Sequence, residues 1–152
     1  MPASRRSFLV CQVLFSLSLP GCASDPTGAL SQTLRVEGAQ DRWRGAGLRS
    51  YSFNSTVYCF CPDEYVGTKR VTVRNGLVTA VVDVRTGASN PLSWRQPVDS
   101  LFALVRREAI RLPAFLDVSY DDRLGFPRRI SYGEQAIDDG GTITIDSLRA
   151  DP

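Results

Sequence analysis

The sequence contains no histidine, and Lys69 is its only lysine. Without histidine the chain cannot assemble Ser-His-Asp or Cys-His nucleophile arrangements. It also lacks the commonest general base near neutral pH and every His-containing metal site. Chemistry would have to rest on carboxylates, tyrosines or thiolates. Net charge is scarce too. The formal value is +2, and two of the cations, Arg5 and Arg6, fall among the first 21 residues, which hold no acid. Removing that segment leaves 16 cations against 16 acids. A neutral globule carries neither the electrostatic footprint of a nucleic-acid binder nor a polybasic membrane patch. No cofactor is implied. With 152 residues, 43% hydrophobic and 22% charged, the chain has room for one domain with a core of its own.

What is present begins with a leader. Arg5 and Arg6 form a positive start, and Phe8 to Leu19 is an apolar stretch of 12 residues. That length is too short to span a bilayer as a helix, which needs about 20 residues, and suits a signal segment. It ends in Leu19-Pro20-Gly21-Cys22, which resembles the lipobox of bacterial lipoproteins. The expectation is cleavage before Cys22 and diacylglycerol on its thiol. Together with an acylated amine this supplies the more than one chain that stable anchoring needs. Ser4-Arg5-Arg6-Ser7-Phe8-Leu9 also resembles the twin-arginine export motif, so either that route or the general secretory route would serve. The expected location is the cell envelope. In a cell with two membranes this is the periplasmic face of the outer one, because no Asp follows Cys22; otherwise it is the outer face of the cytoplasmic membrane.

The expected organisation is a signal peptide over 1–21, a lipidated flexible tether over 22–38 and a single domain over 39–150. The tether reading rests on Ser, Thr, Gly, Asp and Pro content. Ala39 to Ala46 reads as a short helix, with Ala39 and Trp43 on one face. Leu48 to Cys61 alternates, placing Tyr51, Phe53, Val57, Cys59 and Cys61 together. Asn75-Gly76 between two Val-rich runs is a type I′ hairpin signature, since both turn residues need positive φ. In the second run Val78, Ala80, Val82 and Val84 are expected to face inward. After a loop over 86–96, a helix from Pro97 to Arg111 shows a stripe of Val98, Leu101, Phe102, Val105 and Ala109. Pro113 stops it. Strands follow over 116–120, 128–132 and 142–148. Helix, three strands, helix, three strands predicts an α+β fold: an antiparallel sheet of about six strands with helices on one face.

Three groups of residues are candidates for function. Cys59 and Cys61 suggest a disulfide outside the cytoplasm. In a regular strand their Cα atoms would lie about 6.6–6.8 Å apart, at the upper limit for a bridge, so closure requires a bend. A structural bridge, a redox pair and a metal or ligand site all remain open on these grounds. Asp121-Asp122 and Asp138-Asp139 lie in turns that could face each other. Paired carboxylates can bind a cation or divide acid and base roles, although aspartate also favours turns for backbone reasons. Tyr58, Phe60, Tyr65 and Trp94 suggest either an aromatic binding patch or closure of the core.

Several segments together resemble a family of secreted bacterial proteins and lipoproteins classed only as a domain of unknown function. They are Trp43 with Leu48-x-x-Tyr51-x-Phe53, Cys59-Phe60-Cys61, the Asn75-Gly76 hairpin and Val98-Asp99-x-Leu101-Phe102. Tyr120-Asp121-x-x-Leu124-Gly125-Phe126-Pro127-x-x-Ile130 and Asp138-Asp139 complete the set. The chain departs from the pattern at Gly140, where the family commonly has an acid. The resemblance implies an exported lipoprotein and the domain limits above, and brings no activity. The expected role is a non-enzymatic binding module that contacts an envelope protein or a wall component. Its contact surface would be the outer sheet face or the loop from Gly87 to Gln96. The alternative is a thiol–disulfide protein or sensor using Cys59 and Cys61.

Overall fold

The computed structural model describes residues 26–111, 113–134 and 140–151. The leader, Cys22, Asp138 and Asp139 lie outside the described residues. Two helices and six strands follow in the order α1 (Pro26–Ala46), β1 (Tyr51–Cys59), β2 (Gly67–Arg74), β3 (Leu77–Asp83), α2 (Val98–Arg111), β4 (Phe115–Tyr120), β5 (Pro127–Gly133) and β6 (Gly140–Ala150). The strands form one antiparallel sheet in the order β3-β2-β1-β6-β5-β4. Each half of the chain contributes a three-stranded meander, and β1 and β6 join them. The fold is α+β, as the strand and helix order predicts.

The sheet's inner face follows from alternation. Tyr51, Phe53 and Val57 of β1 stand beside Val71 and Val73 of β2, Ile145 of β6, Ile130 of β5 and Val118 of β4, all buried. The two helices cover this face. Phe102 and Val105 of α2 and Val36, Ala39 and Trp43 of α1 are also buried there. Trp43 meets Tyr51 edge-on, with ring centroids 5.2 Å apart, and also contacts Phe126. The buried Tyr51 hydroxyl accepts a hydrogen bond of 3.0 Å from the Val98 N–H, an otherwise unpaired donor at the start of α2. Burial pushes the Tyr51 phenol up to about 12, so it stays protonated. Tyr51→Phe leaves that N–H unsatisfied and is expected to cost about 1–3 kcal/mol in urea denaturation. An unchanged midpoint would show that water satisfies the donor instead.

The outer face is polar and self-bonded. Thr56 and Thr68 share a hydrogen bond of 2.8 Å, as do Ser131 and Thr142, and Asn54 donates to Asp146 at 3.1 Å. Each pair is a register pair of adjacent strands. Both free edges are blunted. The segment after β3 folds back along it, with the Asn90 N–H donating to the Val81 carbonyl and the Asp83 N–H to the Ala88 carbonyl. At the other edge Arg35 of α1 donates to the Val118 carbonyl of β4. Unpaired strand edges are templates for aggregation, and such cover shortens the length left open.

Two expectations need correction. The stretch read as a flexible tether is helical from Pro26, and the short helix expected from Ala39 is the last part of α1. Composition misled because α1 has only a thin apolar stripe, Val36, Ala39 and Trp43, supplemented by the buried Gln40. Gln40 accepts a hydrogen bond from Arg106 of α2, so tertiary contact sustains a helix that propensity alone would not. The second correction concerns β3. The hairpin turn forms as expected, with Asn75 at φ 51° and Gly76 at φ 81°. A register shift then intervenes: Val73 opposes Val78, whereas Thr72 opposes Ala80. This bulge reverses the remaining alternation. Val81 is buried and Val84 is exposed, and Asp83 stands opposite Lys69 on the inner side.

Candidate functional site

A cleft of about 640 Å³ opens where the bulge has turned β3. Its wall is built by residues 63–68 and by the segment 84–90 that folds back on the strand. Lys69 lies on its floor. Alternation along β2 points its side chain the same way as Val71 and Val73, and it is only 3% exposed. A buried ammonium needs a counter-charge. Asp83 supplies it at 2.6 Å, and the Trp94 ring lies 6.0 Å from the nitrogen. The second Asp83 oxygen accepts from the Arg85 and Thr86 N–H groups and the Thr86 hydroxyl. Its bond to Lys69, and then its bonds to Thr86, hold the Asp83 carboxyl well below the usual range. Asn90 lines the same cleft, and its carboxamide oxygen is enclosed without a partner among the described residues.

Behind the floor, Arg95 is buried and ties the chain after the cleft to the chain before it. It donates to the Trp94, Tyr65 and Gly67 carbonyls at 2.8–3.0 Å and lies over the Tyr65 ring. Burial draws its pKa down from the ordinary value, yet a guanidinium stays protonated in proteins. Tyr65 and Trp94 pack edge-on with each other. These two aromatics are half-buried against Arg95 and Lys69, whereas Tyr58 and Phe60 are 64% and 84% exposed.

Cys59 ends β1, and the chain bends immediately after it. The bend shortens the Cα separation to Cys61 to 5.2 Å, and the two sulfurs are in bonding contact. Cys61 is thus off the strand and does not continue the face of Tyr51, as a regular strand would require. The pair borders a second cleft of about 430 Å³ with Arg107, Arg111 and the buried Glu108 of α2. Glu108 pairs with both arginines, at 3.3 and 3.6 Å.

Of the two aspartate pairs only Asp121-Asp122 lies among the described residues. Asp121 turns its carboxylate back to the Arg123 and Leu124 N–H groups within the β4–β5 turn, and Asp122 is exposed. Among the described residues no group of three metal-ligating side chains forms.

The sequence profile of a family of unknown function, DUF6174, matches residues 35–150. The chain belongs to the DUF6174 family. No curated protein and no solved structure is similar enough to match it. The match to the DUF6174 profile includes the C-x-C pair, the Lys69–Asp83 cleft and the Gly125 turn. Lys69, Asp83 and Asn90 escaped the sequence reading of this DUF6174 domain. One available signal was the presence of a lone lysine among arginines within an alternating strand. The other was an aspartate ending a Val-rich run.

Proposed function

We propose that the protein is an exported, lipid-anchored binding module of the cell envelope that contacts an envelope protein or a wall component through the cleft beside β3. The leader with Leu19-Pro20-Gly21-Cys22 supports the anchor. The cleft supports the binding role, and one observation carries it: Asn90, whose enclosed carboxamide oxygen has no partner among the described residues, lines the cleft beside a charge-neutral Lys69–Asp83 floor. Buried polar atoms are normally satisfied, and an unpaired acceptor on a residue of the cleft wall is suited to a ligand donor. Two residues of its wall, Ala88 and Asn90, fall within the loop from Gly87 to Gln96 that the sequence marks as a contact surface, and Thr86 directly precedes it.

The test is affinity capture from envelope extract by the native protein, with its intact mass measured first. Acyl chains on Cys22 and a partner at near-stoichiometric level are expected. Asn90→Ala, which loses one ligand hydrogen bond, is expected to weaken capture about tenfold. No near-stoichiometric partner, or equal capture by the variant, would overturn the reading. A thiol–disulfide role is favoured by one feature, the arginines beside Cys59–Cys61, since nearby cations stabilise thiolates. Resistance of the pair to glutathione in the same preparation would exclude it.

A further inference from the structure

The antiparallel order places one end of β1, the start of β4, the end of α2 and the start of α1 at the same end of the molecule. β1 ends at Cys59, which opposes Gly141 at the start of β6, and Phe115 opposes Gly133 at the end of β5. Thr33 and Val36 of α1 share a groove with Ala109 and Ile110 of α2. Exposed apolar side chains collect at this end. Phe60 is 84% exposed, Ile110 81%, Tyr58 64% and Phe115 49%. Tyr58, Phe60 and Phe115 line one shallow depression. Phe60 is the residue between the two cysteines, so the bridge holds it at the tip of a bend. Arg107 and Arg111 border the same tip, and more than half of each side chain is in solvent. Aromatic rings with arginines beside them match the headgroup layer of a bilayer, where amphipathic rings and cations gather.

What covers this end follows from the chain that leads to it. Because α1 begins at Pro26, only Ala23, Ser24 and Asp25 separate it from Cys22. Four Cα–Cα steps span at most about 14 Å, so a lipid on Cys22 holds the start of α1 against the bilayer. A flexible tether through residue 38 would have allowed any orientation. The helix does not, and the end it begins at is the one with exposed rings.

We propose that this end of the domain, led by Phe60 and Ile110, docks into the interface of the membrane that carries the Cys22 lipid. The inference rests on the anchor in the proposed function. Docking orients the sheet with the β2–β3 hairpin pointing away from the membrane. The nearby acids, Glu134 at the depression and Asp63 and Glu64 after the tip, predict that anionic lipid adds little, so the rings carry the insertion.

The test uses the acylated protein in phosphatidylethanolamine vesicles containing a bromo-acyl phosphatidylcholine. Phe60→Trp and Ile110→Trp place reporters at exposed positions of the tip and of α2. Leu77→Trp, 71% exposed in the opposite hairpin, is the reference, and wild-type emission from Trp43 and Trp94 is subtracted. Insertion of roughly 5–10 Å is expected to quench the first two reporters about twofold and shift them to the blue, and to leave the Leu77→Trp reporter unchanged. Equal emission from all three in protein whose mass shows the acyl chains would overturn docking and leave the anchor standing. Protein without acyl chains that stays off the vesicles would overturn the anchor and docking with it.

Discussion

Gly125→Ala is expected to destabilise the domain by about 3–5 kcal/mol, from backbone strain and steric overlap acting together. Gly125 has φ +80°, a conformation that a residue with a Cβ adopts at a cost. An added Cβ would also stand 2.1 Å from the Ala39 carbonyl oxygen and 2.9 Å from the Arg42 Cβ. The first is backbone of α1 and cannot swing away, so helix and turn would have to separate. Trp43 and Phe126, in ring contact beside them, would lose packing. The loss would be a large share of the roughly 5–15 kcal/mol that holds a domain of this size together. Gly76→Ala separates the two effects. Gly76 has nearly the same φ, +81°, and nothing within 4 Å of a Cβ, so only strain applies there and about 1 kcal/mol is expected. Urea denaturation of both variants decides the matter. If Gly125→Ala costs no more than Gly76→Ala, α1 does not press on the turn.

Lys69→Met is expected to lower Tm by about 10 °C or more, because removing one partner of a buried ion pair leaves the other uncompensated. It removes the interior cation but keeps the length of the side chain. Asp83 would retain its bonds from Arg85 and Thr86, so the turn persists while the charge across the strands is lost. The pH dependence is a second readout. Asp83 has a folded pKa lowered first by Lys69 and then by Thr86. A lowered carboxyl contributes stability that is present above its unfolded pKa, near 4, and is lost as pH falls through the folded value. The wild type is therefore expected to lose stability progressively below about pH 4. Lys69→Met is expected to show a shallower acid decline from a lower plateau. Thermal denaturation between neutral and acidic pH measures both, and parallel curves would show that Lys69 does not govern the Asp83 carboxyl.

Much of the architecture was legible because it is local. The alternation of Tyr51, Phe53 and Val57, the positive-φ pair Asn75-Gly76 and the stripe Val98, Leu101, Phe102 and Val105 each state their conformation within a few residues. The candidate cleft was not legible. Val81 and Val82 are chemically identical, so no side chain announces which one turns inward after the bulge. Lys69 reads as a solvated cation until a facing aspartate is in place. The helix before residue 39 was equally hidden, since Leu34 faces solvent, Val36 is buried, and its stability comes from what it touches. The sulfur pair falls between these cases: the residues were evident, but the bend that brings their Cα atoms to 5.2 Å was only a stated requirement.

Residue types and their short-range spacing specify the strands, the turns, α2 and the α+β class, because hydrophobic periodicity and φ preferences act over a few residues. Three matters were settled only when distant segments met. They are the reversed face of β3, the interior position of Lys69 opposite Asp83, and the gathering of Phe60, Phe115 and Ile110 where α1 begins. Each depends on register and on burial against residues far away in the chain, and no local preference encodes either.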